Sequence, residues 1–324
     1  MESKTVLVTG IGGNVGQGIL RNIISLNYPI KLIGTDIADF SAGNHLCSKV
    51  YKVPYASTPQ YIPLIRDILF KEKVDLVLPS TDYEVFYLAQ NSADLSAFIL
   101  ASDADIAKIY LDKYATFCHH FNAGIPFAKS WLPKDYDNSE QNIIAKPREG
   151  RGSRGLLINP KNPNKLGDDY MIQPLIQGKE ITTAVYLNKE GQFHGMITLE
   201  RELSNGATSK CHVVCDYDKE LKIIVDKMVA FGGLKGSFNV QSIVSNSGNI
   251  VPFEVNCRIS GTNSIRHNLG FQDVKYAIQE YLYDQKPDVV QVKKGIAIRI
   301  LMDVIYPDAE NELELNTFSK HTIY

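Results

Sequence analysis

Two alternating runs, Ser237-Phe238-Asn239-Val240-Gln241-Ser242-Ile243-Val244 and Ile250-Val251-Pro252-Phe253-Glu254-Val255-Asn256-Cys257-Arg258, flank the segment Ser245-Asn246-Ser247-Gly248-Asn249. Alternation on both sides of a Ser-Gly turn predicts a β-hairpin. With Ser247-Gly248 as a two-residue turn, Asn246 faces Asn249, Gln241 faces Glu254 and Asn239 faces Asn256. Side chains alternate between faces along a strand. One face then carries Phe238, Val240, Val251, Phe253 and Val255, and the other Asn239, Gln241, Glu254, Asn256 and Arg258. The second set suits magnesium, which takes oxygen ligands, keeps some of its water and commonly sits on few carboxylates plus substrate phosphates. Glu254 could bridge two ions, Gln241 and Asn256 could supply neutral oxygens, and Arg258 could offset charge on a transferring phosphoryl group. A solvated strand face would alternate in the same way, so the pattern alone leaves both readings open.

A second candidate lies at the start of the chain. Thr9-Gly10-Ile11-Gly12-Gly13-Asn14-Val15-Gly16 puts glycines where a strand gives way to a helix, and backbone amides there can cradle an anion. Asp36 follows at the distance where dinucleotide-binding proteins hold ribose hydroxyls. The glycine spacing resembles that of short-chain dehydrogenases and sugar-nucleotide epimerases, which makes an NAD(P)-dependent epimerase or reductase the rival function. Those families also need Tyr-x-x-x-Lys, and no tyrosine here has a lysine four residues later. A tight strand–helix turn that needs glycine for packing is the favoured reading.

The elements that must hold these residues change character along the chain. Thr5–Thr9, Lys31–Thr35 and Val74–Leu78 read as buried strands, with helices from Gly16 to about Ser25 and from Tyr61 to Lys71 between them. This rhythm predicts a parallel sheet wound on both faces, with ligands at the carboxyl ends of its strands, where Pro79-Ser80-Thr81-Asp82-Tyr83-Glu84 falls. A helix from about Asp112 to Asn122 ends at Gly124. Beyond it, strands at 143–146, 155–158, 180–187, 195–199, 237–244 and 250–257 read as antiparallel, interrupted by helices near 219–231 and 273–283. The predicted class is α/β followed by α+β.

Bulk properties bound the function. A chain of 324 residues suits two or three domains. A formal net charge of −2 gives no reason to expect nucleic acid or an acidic membrane surface. No apolar run is long enough for a bilayer, and the start leads straight into a strand, so no signal peptide is expected. Five cysteines without a paired framework point to a reducing cytoplasm. Cys211-His212 with Cys215, and Cys118-His119-His120, lack a second ligand pair at zinc-like spacing and read as packing or surface residues. Arg201, Lys210, Arg266 and His267 could face a reacting group or solvent, and Asp82 and Glu84 could meet a nucleophile or serve as ordinary helix-start carboxylates.

The hairpin residues Phe253-Glu254-Val255-Asn256-Cys257-Arg258 resemble the Glu-x-Asn-x-Arg signature of ATP-grasp enzymes, especially the large chain of carbamoyl phosphate synthetase and its small relatives. In that group a glutamine on the preceding strand is the partner metal ligand, matched by Gln241. Ile143-Ile144-Ala145-Lys146-Pro147 with the following Arg148–Gly155 resembles the family's strand lysine and mobile glycine loop. Met171–Glu180 resembles its adenine and ribose hinge, and Leu111-Asp112-Lys113 the segment bearing its first nucleotide-binding basic residue. Two departures stand out: Gln173 replaces a common acidic residue, and Lys113 a common arginine.

The resemblance implies a Rossmann-like pre-ATP-grasp domain over 1–111 and an ATP-grasp domain over 112–287, with a glycine-loop lid to about 175 and a metal-binding core from about 176. Residues 288–324 would be an extension packed on that core. It implies ATP held by Lys113, Lys146, Gly150, Gly152, Ser153, Gly155, Gln173, Leu175 and Glu180. Two magnesium ions, with manganese an acceptable substitute, would sit on Gln241, Glu254 and Asn256, and Arg258 and Lys146 would be catalytic. The implied activity is an ADP-forming ligase that converts a small carboxylate to an acyl phosphate and passes it to an amine-type nucleophile. A homodimer is compatible, and a non-catalytic nucleotide-binding protein is the remaining alternative.

Overall fold

The computed structural model describes residues 2–150, 152, 154–312, 315 and 319–324. Strands β1 (Lys4–Thr9), β2 (Ile30–Asp36), β3 (Lys49–Lys52), β4 (Leu76–Leu78) and β5 (Phe98–Ile99) form a parallel sheet in the order β3-β2-β1-β4-β5. Val6, Leu7 and Val8 are fully buried because helices cover both faces of the sheet. The order reverses between β1 and its neighbours, which opens a crevice at their carboxyl ends. Helices α1 (Asn14–Ser25), α2 (Tyr61–Glu72), α3 (Asp82–Gln90) and α4 (Ala104–Leu111) complete this part.

Helix α5 (Lys113–Asn122) starts one residue after α4, and the Asp112 carboxylate caps it by accepting from the N–H groups of Tyr114 and Ala115. Two antiparallel sheets follow. The small one is β7-β6-β8, from β6 (Ile143–Pro147), β7 (Leu157–Ile158) and β8 (Tyr170–Pro174). The large one comprises β9 (Gly178–Leu187), β10 (Phe193–Ser204), β11 (Ala207–Val214), β12 (Gly236–Ser245), β13 (Ile250–Asn256) and β14 (Ile296–Ile298). Its order is β13-β12-β9-β10-β11-β14. Helices α6 (Asp218–Phe231), α7 (Asn263–Asn268) and α8 (Asp273–Tyr283) pack around it, and β15 (Val304–Ile305) pairs with β16 (Thr322–Ile323).

The parallel sheet and the large antiparallel sheet share a core. Val6, Val8, Ile19 and Leu20 from the first pack in one cluster with Tyr186, Ile197, Phe271 and Tyr276 from the second. Gly18 on α1 allows the approach: a Cβ there would lie 2.2 Å from Asn263 Oδ1. Asn22 donates to Asn263 across the same seam. The expected parallel-then-antiparallel plan therefore holds, and apolar packing fixes the crevice of the first sheet against the hairpin β12–β13. No helix among the described residues is long and apolar enough to cross a membrane.

Candidate active site

The hairpin has the predicted pairing at its functional end, for a reason different from the one predicted. Gln241 faces Glu254 and Asn239 faces Asn256, but Ser242 faces Pro252 and Val244 faces Ile250. The turn is a three-residue loop, Asn246-Ser247-Gly248: Ser245 N–H donates to Asn249 O, and Gly248 donates to Ser245 O. Gly248 takes φ +85°, the left-handed position that such loops require. One residue of register lost at the loop is regained at a β-bulge, where Phe253 has no partner. The bulge corrects the expected faces. Phe253 and Val251 do not join Phe238, Val240 and Val255 in the apolar layer; Phe253 lines a cleft with Ile243, the residue opposite Val251.

That cleft, about 280 Å³, lies between the small sheet and the hairpin. Lys146, next to last in β6, reaches across it, its Nζ donating to Phe253 O at 3.2 Å and standing 5.0 Å from the Phe253 ring centre. Burial pushes the Lys146 ammonium down to about 8, against the pull of Glu254. Lys113, at the start of α5, donates to Gly150 O at 3.1 Å. Burial pushes the Glu254 carboxyl up, but the charges of Lys113 and Lys146, a hydrogen bond from Asn256 and the charge of Arg258 outweigh it and hold the group below the ordinary glutamate value. Glu254 is thus an anion between cations supplied by separate elements.

The glycine loop roofs the cleft. Gly150, Gly152 and Gly155 all have positive φ, and Gly150 and Gly152 line the cavity. Gly206, in the β10–β11 turn, meets the loop so closely that a Cβ would lie 2.3 Å from Gly152 O. Ser153, predicted to contact phosphate, lies outside the described residues, as does Arg151. At the hinge, Gln173 is buried and donates to Ser130 Oγ at 2.9 Å. The Leu175 N–H, expected to meet a base, is taken by Asn142 O at 2.9 Å. The next residue, Ile176, lines the cleft, and its N–H has no partner among the described residues.

A second cavity of about 720 Å³ lies between the crevice of the parallel sheet and the hairpin. Gly10, Gly13, Asp36 and Ser80 line one side, and Asn239, Asn256, Arg258 and Ser260 the other. The two cavities share a wall: Gly150, Gly152, Arg154, Leu203, Gln241 and Glu254 line both. Arg258 is held by Asp82 from the first turn of α3, through Nε at 2.9 Å and Nη2 at 2.8 Å. Glu84, further along that helix, is buried and accepts from the hydroxyls of Thr9 and Thr81.

Arg201 is the residue whose part could not be settled from sequence. It donates to Glu180 Oε1 through Nε at 3.1 Å and Nη2 at 2.6 Å, and to Gln241 Oε1 through Nη2 at 2.5 Å. Strand β10 runs to Ser204, well past the expected Leu199, which carries Arg201 beside the hairpin. A longer alternating reading through Glu200-Arg201-Glu202 was the available signal. Other residues left open resolve away from the chemistry. Arg266 is fully buried and clamps Asp273, Ser260 and Thr262, Lys210 pairs with Glu202 on the surface, and His267 meets Ser25. Among the described residues no group of three or more His, Cys, Asp or Glu side chains is arranged for a metal, so the cysteine–histidine segments form no such site.

Sequence comparison places this geometry. Residues 6–98 match a PylC-like N-terminal domain, and residues 111–262, which hold both cavities' shared wall, match the ATP-grasp domain. Residues 111–262 are an ATP-grasp domain. No curated protein matched the sequence. Among solved structures, the chain is similar to the N5-carboxyaminoimidazole synthetase from Staphylococcus aureus complexed with ADP (14% identity, TM-score 0.74, 93% of this chain and 83% of that one). It is also similar to the biotin carboxylase domain dimer of the Hydrogenobacter thermophilus 2-oxoglutarate carboxylase, complexed with MgADP, ADP and bicarbonate (14%, 0.73, 95% and 76%). A third is the L-amino acid ligase from Bacillus licheniformis (14%, 0.68, 89% and 76%). The shared ATP-grasp fold accounts for the small sheet over the large one and for the cleft between them.

Proposed function

We propose that this ATP-grasp protein is an ADP-forming ligase that activates a small carboxylate with ATP and passes the acyl group to an amine-type nucleophile. The observation that carries the reading is the wall shared by the two cavities. A nucleotide in the smaller cleft would direct its γ-phosphate at Glu254, and a carboxylate in the larger one would approach the same residue from the other side. The three neighbours' names, an N5-carboxyaminoimidazole synthetase, a biotin carboxylase domain with bicarbonate and an L-amino acid ligase, support this class of chemistry.

In the first step, a carboxylate oxygen attacks the γ-phosphorus and the bond to the ADP oxygen breaks. In the second, the nucleophile attacks the acyl carbon, loses a proton and expels phosphate. Lys146 and Lys113 offset charge on the triphosphate, and Arg258, oriented by Asp82, offsets charge on the transferring group. The glycine loop excludes water that would hydrolyse the acyl phosphate. Ile176 N–H is the donor available to the base, and Glu180, fixed by Arg201, is placed for the ribose hydroxyls. Glu254 fits a divalent ion, because Oε1 accepts from Asn256 while Oε2 accepts no hydrogen bond from a described residue. A bound magnesium ion would supply Lewis-acid neutralisation of the phosphate oxygens. We also propose working units divided after residues 111, 175 and 287, and a reducing cytoplasm for the free cysteines, of which Cys47, Cys211 and Cys257 are buried.

The test is a matrix of carboxylates against amines, scored by ADP release, with hydroxylamine included to trap acyl phosphate as hydroxamate. Carboxylate-dependent ADP and hydroxamate are expected. ATP turnover independent of every carboxylate would overturn the proposal.

A further inference from the structure

Arg201 sets the direction of every hydrogen bond in the polar row of the hairpin. A guanidinium only donates, so the Gln241 atom 2.5 Å from Arg201 Nη2 must be the carboxamide oxygen. The Gln241 amide nitrogen then faces Asn256, donating to Oδ1 at 3.1 Å. Asn256 in turn must present its own nitrogen to Glu254, donating to Oε1 at 3.0 Å. A carboxylate only accepts, so the row is fixed at both ends: Arg201 → Gln241 → Asn256 → Glu254. Neither carboxamide can reverse without setting donor against donor at Arg201 or acceptor against acceptor at Glu254.

We infer that Arg201 stands in for one of the two divalent ions, so that the nucleotide binds with a single ion on Glu254. The inference rests on the ATP-dependent reading above and sharpens it. Gln241 Oε1, the oxygen an ion on this strand would need, already accepts the guanidinium. An ion on the remaining lone pair would stand beside a fixed positive charge whose side chain is about nine-tenths buried, with 11% exposure. Asn256 Oδ1 accepts from Gln241, so Glu254 Oε2 is left as the one anionic oxygen in the row without a hydrogen bond among the described residues. Arg201 also grips Glu180, at 2.6 Å, so the same cation ties the cleft wall below the hinge to the hairpin. It is therefore a positioning residue that also carries charge.

The experiment counts ions. The intact chain is equilibrated with β,γ-imido-ATP and excess Mn²⁺, passed through a desalting column, and the metal and nucleotide retained are both measured. One manganese per retained nucleotide is expected. In Arg201→Met, which keeps bulk but removes charge and donors, Gln241 is released and the ratio is expected to rise toward two; Arg201→Lys is expected to stay at one. Two ions per nucleotide in the unaltered chain would overturn the inference while leaving the ligase reading intact. A ratio of one in a folded Arg201→Met protein would overturn it as well. Failure of the unaltered chain to retain any nucleotide would overturn the ATP-dependent reading, and this inference with it.

Discussion

The hairpin β12–β13 and the glycine turn at residues 10–16 face each other across one cavity, and both look like ligand sites in sequence. They differ in where their polar groups point. At the hairpin, charged groups converge from elements far apart in the chain: Lys113, Lys146, Arg201 and, through Arg258, Asp82. At the glycine turn, the polar groups serve the turn itself. Asp36, the expected ribose ligand of a dinucleotide site, accepts from Gly12 N–H at 2.7 Å and Ala38 N–H at 3.1 Å. Gly16 is needed because a Cβ would lie 2.5 Å from Gly10 O. Convergence from distant segments marks chemistry, whereas a local motif satisfied by its own backbone marks architecture.

The largest effect that would sharpen this contrast is at Glu254. Glu254→Gln should lower ADP formation by more than ~10²-fold, the order of magnitude for losing one charge-stabilising group in a phosphoryl-transfer site. The thermal midpoint should stay close to that of the unaltered chain, as seen by calorimetry. The converse holds at Gly16. Gly16→Ala forces a methyl group into backbone and should cost about 1–3 kcal/mol of stability in denaturant unfolding, with nucleotide affinity unchanged in the folded fraction. If Gly16→Ala instead abolished nucleotide binding at full stability, the contrast would break.

A smaller effect concerns pH. The buried Lys146 ammonium has its value lowered to about 8, so it is charged below that pH and neutral above it. Nucleotide affinity should therefore fall as pH rises through about 8, and Lys146→Met should bind weakly with no such dependence, both by isothermal titration. The same shift has a stability consequence of opposite sign. Between about 8 and the unfolded lysine value of 10.5 the unfolded chain holds more protons, so Lys146 makes the folded state gain stability as pH rises there. The smallest effect is a null: NAD and NADP should leave the thermal midpoint unmoved.

The parallel-then-antiparallel plan was legible because buried strands and amphipathic helices carry their own periodicities. The short β3 and β5 were not, since four and two residues are too few to alternate. Strand β11 was also missed. Its run Ala207-Thr208-Ser209-Lys210-Cys211 carries little apolar alternation, and it is held by pairing to β10 and β14. At the site, residue types were readable and orientations were not. The Gln241–Glu254 pairing came out right because a longer turn and a bulge offset one another, and neither leaves a mark that alternation alone reveals. The roles of Arg201 and Asp82 depend on which distant group each meets, which only the assembled sheets decide.

The most direct measurement of the central claim is calorimetric titration of the unaltered chain and Glu254→Gln with ATP and Mg²⁺, each with and without a carboxylate mixture. One nucleotide per chain is expected, with magnesium-dependent affinity that Glu254→Gln weakens sharply and tighter binding when a carboxylate fills the neighbouring cavity. Equal ATP affinity in both proteins, with or without magnesium, would contradict it.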